Sequence, residues 1–475
     1  MNILSTKNTS NVGWHGLAIT LLLAITFVLR FIHMGKADIG NDESFSSFYA
    51  HSPIRLIISV LSQSDNPPLW EILLHFWQIV FGNSEMAIRS LSGIFSALTV
   101  VPIYLAGLRV GGKAGAICSA ALYVLSPLSL FLAHEGRVYS LIGFLSAVSM
   151  LQFIRLATAN EDKSRICRLV VLTLCNTLLI YGHYIAIWVP IVQGSLWLLW
   201  PRVRRTIGNG MLWSVAATAL LFAPMLPIVY ARFLDSGING TWIPKAGNID
   251  ELPVMLDSFF RRPYITIPVL LICIASFALH IRQRRQKHAA ESCAIVETTM
   301  LTAMWAVPLI VSFALSHITG FFLNRYFYFV APPLYVATAC YLTMLPNRRI
   351  GLILGILIIG LMSVNFRTDS VELRYAPRST QTKQLVRQAI QMSDSLRMPI
   401  VVNPGHLNLR VIYYYDEQHE LFAQLGTQAQ ENYSASPMLA RFRTPEEQTP
   451  PPYIELLEIG RELSIVVHNE QSTSN

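Results

Sequence analysis

Continuous apolar runs constrain this chain more than any other feature. They lie at 12–32, 87–108, 114–133, 138–157, 167–182, 184–200, 210–231, 263–281, 297–317, 325–345 and 350–366. A helix needs about 20 apolar residues to cross a bilayer, and only helices and closed barrels satisfy their backbone in lipid. The runs do not alternate apolar with polar, which excludes a β-barrel. The expected fold class is an all-α polytopic membrane protein with about eleven transmembrane helices, one for each run. Composition agrees: 53% of residues are hydrophobic, only 13% charged, and the mean hydropathy is +0.44. Soluble domains carry roughly 25% charged residues.

The formal charge of +8 does not call for nucleic acid here. Lys and Arg in short loops set membrane orientation. With the N-terminus in the cytoplasm, the basic clusters at 109–113, 155–168, 202–205, 282–287 and 348–349 all fall on that side. This reading needs 167–182 and 184–200 to be separate spans, with a turn at Gly182. The first run is long and lacks a small-residue cleavage site, so it reads as a retained span. The six cysteines lie in spans or a cytoplasmic loop, with no CxxC pair, and imply neither a disulfide framework nor a metal site.

Three longer segments then lie outside. In the first, 33–86, the stretch "PPLWEILLHFWQIVFG" (67–82) sets Leu69, Leu73, Phe76, Trp77 and Val80 at helical spacing, with Glu71 and His75 opposite. It is too short and polar to span, so a helix lying in the interface, anchored by Trp70 and Trp77, is expected. Segment 232–262 reads as a mobile loop from its Gly, Asn and Pro content. Beyond the transmembrane module of residues 1–366, segment 367–475 loses hydrophobic density and reads as a small C-terminal α/β appendage outside the membrane. It holds an amphipathic helix at 382–396, a strand at 399–403, a candidate strand in "RVIYYY" (410–415), and a disordered polar end from about 466.

On this topology, ionisable residues from distant positions share the outer face. The first loop brings Asp42, Glu43 and Asp65; the "AHEGRVYSL" turn brings His134, Glu135, Arg137 and Tyr139; "YGHY" brings His183; and "NRYFYF" brings Arg325 and Tyr326. Such residues near spans are expensive and usually functional. Each has a plainer reading. Asp42 could cap a helix over 43–51, Asp65 could hold a turn, Arg137 and Arg325 could snorkel to headgroups, and the histidines could be interfacial hydrogen-bonders. It is the conjunction that favours chemistry. A carboxylate can take the proton of an acceptor hydroxyl as its oxygen attacks a sugar's anomeric carbon, and arginines can hold a phosphate leaving group. A phosphate at the interface, its sugar outside and its tail between helices, describes a polyprenyl-phosphate sugar.

The stretches "NDESFSSFYA", "SDNPPLWEILLHFWQIVFGNSEMAIRSLSGIFSALTVVPIY", "SPLSLFLAHEGRVYSL" and "NRYFYFVAPPLY" resemble the bacterial protein O-mannosyltransferase-like family of GT-C-fold glycosyltransferases, over residues 12 to about 345. The resemblance implies an inverting transferase using a lipid-linked sugar donor at the extracytoplasmic face of a bacterial inner membrane. Its acceptor would be a glycan, lipid or protein. It makes Asp42 and Glu43 the catalytic pair, with Asp42 the base. Glu135, Arg137 and Tyr139, with Arg325 and Tyr326, fall to the donor's sugar and phosphate; Asp65 and His183 are candidate acceptor or metal residues. A nucleotide cofactor and nucleic acid are not expected; a divalent metal is left open, because Asn66 stands where many relatives carry histidine. Gly136 stands where they often carry alanine. The competing class is a transporter or flippase for a lipid-linked anion, which would place its groups at the midplane on interrupted, internally repeated helices.

Overall fold

A computed structural model of the protein describes residues 6–62, 67–158, 164–239, 243–287, 293–375, 381–403, 409–415, 421–423, 452–459 and 462–468. The chain divides into two compact units. The first comprises Met1–Ile32, Ser92–His134 and Val138–Ser370; the second comprises His33–Leu91, Glu135–Arg137 and Val371–Asn475.

The first unit is helical, and its centre is the helix Ala331–Thr343. Every residue from Ala331 to Leu342 is buried. A helix apolar on all sides belongs inside a core. This one packs against Val100–Val124, Cys293–Ser316 and Pro263–Lys287. The Thr6–Phe31 helix joins the core through a fully buried arginine. Arg30 donates to the Ser96 hydroxyl (3.1 Å) and to the Val124 and Tyr123 carbonyls (3.0 and 3.2 Å). Those carbonyls end Val100–Val124, where orphan acceptors and the negative end of the helix dipole welcome a cation.

By length and composition, seven described helices can cross a membrane, or nine if each of two bent pairs is one span. The eleven expected from the sequence are not reproduced, and the difference lies in two places. The 40-residue stretch Glu85–Val124 counts once but contains a reversal. Gly112 has φ +64°, and a Cβ on Gly107 would lie 2.7 Å from the Gly115 carbonyl oxygen, so the chain folds back there at close range. The run 325–345 yields only the 13-residue Ala331–Thr343, preceded by the 3-10 turn Asn324–Val330.

In the second unit, three short helices, Asn41–Ala50, Ile54–Leu61 and Leu69–Phe81, form the first loop. Leu69–Phe81 leaves Phe76, Ile79, Val80 and Phe81 exposed and buries Trp70, Glu71, Leu74 and Gln78. Its polar residues thus face the unit's interior, the arrangement expected where the surroundings are lipid. The two tryptophans also turn inward: Trp70 donates to the Gly136 carbonyl (2.9 Å) and Trp77 to the Ala87 carbonyl and Ser90 hydroxyl (both 3.0 Å). These bonds tie the helix to its own unit.

The C-terminal part of this unit contains the helix Thr382–Leu396 and strands β1 (Ile400–Asn403), β2 (Leu421–Ala423), β3 (Tyr453–Ile459) and β4 (Glu462–His468). The sheet order is β2-β1-β3-β4. β1 runs parallel to both neighbours, with Val401 opposite Phe422 and Glu455, and β3–β4 is antiparallel. Val386 and Ala389 of the helix pack on Ile400, Val402, Ile454 and Leu456. Two expectations are corrected. "RVIYYY" lies in the short helix Leu409–Tyr414, because burial of Leu409 and Val411 in this core overrides the strand preference of Val, Ile and Tyr. The ordered chain also continues past 466, since β4 runs to His468 and pairs along its length with β3.

Candidate active site

The acidic pair opens the helix Asn41–Ala50. Gly40 is its N-cap, and Glu43, at the third helical position, reaches back to the Gly40 N–H (2.8 Å). Half of a capping box is therefore present, since glycine has no side chain to return the bond. Asp42 is not the cap. Both carboxylates sit in the first turn, where the helix dipole favours negative charge.

The pair then divides. Glu43 is 2% exposed, and its Oε1 accepts from Arg89 Nε and the Gly136 N–H, its Oε2 from Arg89 Nη2 and the Gly40 N–H, all at 2.8 Å. Four donors occupy the four lone-pair sites of a carboxylate. Arg89 is equally committed. Besides Glu43 it donates to the carbonyls of Met34 (3.1 Å), Ala37 (2.6 Å) and Asp38 (2.7 Å), so all five of its N–H groups are used. Asp42, the residue before Glu43, is only half-buried.

The 135–137 turn belongs to the same unit. Arg137 Nη1 donates to the Asp42 carbonyl (3.3 Å), to the Ser46 hydroxyl, and to Glu71 Oε1 (3.4 Å), while Ser46 donates to that same oxygen (2.7 Å). Glu135 and Arg137 are buried, at 9% and 6% exposure. Gly136 fits closely: a Cβ there would lie 2.4 Å from Ile88 Cγ2, which explains the absence of alanine at this position.

The remaining candidates gather in the first unit. Tyr139 and Tyr326 stack at 6.3 Å between centroids, and the His183 ring lies 4.6 Å from Tyr326 and 6.2 Å from Tyr139. The Arg325 guanidinium carbon sits 5.8 Å from the Tyr139 ring centre and 5.9 Å from that of Tyr326. The electron-rich faces of the two rings attract the guanidinium and help to orient it. His183 Nδ1 accepts from the Ile185 N–H (3.3 Å), which places the neutral ring's proton on Nε2. Asp65 lies outside the described residues. Among those described, no three His, Cys, Asp or Glu side chains converge as metal ligands would.

Arg89, Glu71 and Ser46 were not among the candidates read from the sequence. Glu71 had left a signal, the polar stripe of an otherwise apolar helix. Arg89 left none, because its partner Glu43 lies 46 positions away.

Residues 65–228 match the family model described as dolichyl-phosphate-mannose-protein mannosyltransferase. Among solved structures, ArnT from Cupriavidus metallidurans bound to undecaprenyl phosphate superposes with a TM-score of 0.63 at 14% identity, covering 93% of this chain and 92% of that one. The apo form of ArnT gives 0.61 at 14% identity, with 91% and 89% covered. The Archaeoglobus fulgidus oligosaccharyltransferase AglB, in complex with an inhibitory peptide and a dolichol-phosphate, gives 0.51 at 12% identity, with 84% and 63% covered. No curated protein matches the chain by sequence. The chain shares the fold of these solved structures.

Proposed function

We propose that this protein is an inverting glycosyltransferase that moves a sugar from a polyprenyl-phosphate donor to an acceptor hydroxyl of a glycan, lipid or protein. The reaction takes place at the extracytoplasmic face of a bacterial inner membrane. The fold likeness and the family match over residues 65–228 support the donor class, and the one-sided distribution of basic loops supports the orientation.

The observation that carries the reading is the division of the acidic pair. Glu43 is buried with four donors on its two oxygens, whereas Asp42, one residue away in the same first turn, is only half-buried. Asp42 takes the acceptor hydroxyl's proton as its oxygen bonds to the anomeric carbon. The bond from that carbon to the phosphate oxygen breaks, and the electron pair leaves with polyprenyl phosphate. Arg137 and Arg325 are assigned to the phosphate's growing charge, and Tyr139, Tyr326 and Glu135 to the donor around it. His183 and Asp65 stay assigned to the acceptor or a metal. One displacement without a covalent sugar–enzyme intermediate inverts the anomeric centre.

Arg137→Ala and Arg325→Ala should each lower donor use by about 10²-fold or more, as loss of one charge-stabilising donor typically does. Lysine at either position should restore part of it, because the two-pronged planar contact is missing. Full activity in both alanine variants, or a retained anomeric centre in the isolated product, would overturn the assignment.

A further inference from the structure

The loop that delivers Asp42 is gripped from two sides, and only one grip is the Arg89–Glu43 lock. The other is the C-terminal module, more than three hundred positions away in sequence. Tyr414 accepts the Ile39 N–H on its hydroxyl (2.8 Å) and donates to Glu85 (3.2 Å). The Lys383 N–H donates to Asp38 Oδ2 (3.0 Å), and its ammonium pairs with Glu85 at 2.8 Å. Within the helix Asn41–Ala50, Asn41 Oδ1 accepts the Arg410 N–H (3.1 Å) and the Ser44 hydroxyl donates to the Leu409 carbonyl (2.7 Å). Phe45 and Phe48 of that helix pack on the module's own apolar core.

These contacts bracket Asp42 in sequence at 38, 39, 41 and 44, and they are directional. Ile39 and Asp38 are buried, at 1% and 7% exposure, so the polar groups given up by the loop to the module have little access to water. A buried donor that loses its partner carries the full desolvation penalty, so the loop has one favoured position while the module is attached. A merely appended domain would need none of this.

We propose that the C-terminal module is a positioning device for the base: Tyr414 through Ile39, Arg410 through Asn41 and Leu409 through Ser44 fix the loop and first turn that hold Asp42. The inference rests on the transferase reading for its consequence, but not for its geometry. Misplacing a reacting group by about 1 Å can cost about 10²-fold in rate.

The test uses the full-length protein in detergent with the variant Asn41→Ala/Ser44→Ala/Tyr414→Phe, and Asn41→Asp as the conservative control that keeps the acceptor. Two quantities are read: amide hydrogen exchange over residues 38–46, and kcat and donor KM for sugar transfer. We expect faster exchange at 38–46 with protection of Leu69–Phe81 unchanged, a fall in kcat of about 10- to 100-fold with donor KM within about twofold, and near-normal behaviour of Asn41→Asp. Unchanged exchange at 38–46 overturns the proposal, because the module then holds nothing. Faster exchange with unchanged kcat overturns it as well, because the grip then has no bearing on the base. If the unmodified protein transfers no sugar, the transferase reading alone fails, and the exchange result still decides whether the module positions the loop.

Discussion

In the first unit, Ser149, Asn176 and Gln193 close a ring of three hydrogen bonds at 2.7–2.8 Å, and the fully buried Arg30 meets a hydroxyl, two carbonyls and the Tyr123 ring. In the second unit, charge meets charge: Glu43 lies against Arg89 at 2.8 Å, and Glu71 against Arg137 at 3.4 Å, with all four side chains at 7% exposure or less. The two arrangements differ in what they require. A neutral ring in a membrane protein contributes modestly, on average about 0.6 kcal/mol per bond. A buried ion pair must recover several kcal/mol of desolvation per ion, and does so only when every remaining donor and acceptor is satisfied. Stability alone gives little reason to build the second kind. Its placement gives one: Glu43 is adjacent to Asp42, and Arg137 touches the Asp42 carbonyl.

The largest expected effect that sharpens this contrast comes from breaking the locked pair. Arg89→Met and Glu43→Gln should each lower stability by about 3–5 kcal/mol, because one charge or its polar replacement is left without its buried partner. The double variant should lose clearly less than the sum, since both members of the coupled pair go together. Thermal unfolding in detergent reads this directly. Additive losses would mean that the two residues act separately.

A smaller effect is expected at Gly136. Its N–H serves Glu43 and its carbonyl serves Trp70, so the turn cannot easily move away from Ile88. Gly136→Ala should cost about 1–3 kcal/mol through overpacking. Adding Ile88→Ala should make the combined loss smaller than the sum of the single ones. Strict additivity would show that the added methyl finds room elsewhere.

The neutral ring should give the smallest change. Ser149→Ala removes one member from the first unit and should cost about 0.6–1.7 kcal/mol, the average and upper range for such bonds in membrane proteins. A loss as large as that of Arg89→Met would erase the distinction between the two arrangements.

How far the sequence foretold these arrangements depended on the range of the interaction. Continuous apolar runs made the polytopic class legible, and helical spacing located Leu69–Phe81 and Thr382–Leu396 to within two residues. In sequence the reversal at Gly112 reads as a short loop between two spans, which is how the sequence reaches a higher span count than helix length alone. Local preference misled where distant burial decided. Leu409–Tyr414 is helical because Leu409 and Val411 meet a core assembled from Thr382–Leu396 and the sheet. Within the candidate site, ionisable residue types gathered on one face by the expected topology point to Asp42, Glu43 and Arg137, but nothing local distinguishes Glu43 from its neighbour. That distinction depends on Arg89 and Gly136, at separations of 46 and 93 positions. The tail's grip on the first loop, spanning separations of 345 to 375 positions, had no sequence signal at all.

The most direct measurement is sugar transfer by Asp42→Asn, made alongside donor binding and thermal stability. The amide keeps the shape of the side chain and its place in the first turn, yet has negligible basicity. The account predicts normal folding and donor affinity with turnover reduced by about 10² to 10⁴-fold, the usual consequence of removing a general base. Near-normal turnover in Asp42→Asn would contradict it, because Glu43 has no lone pair left with which to take over the role.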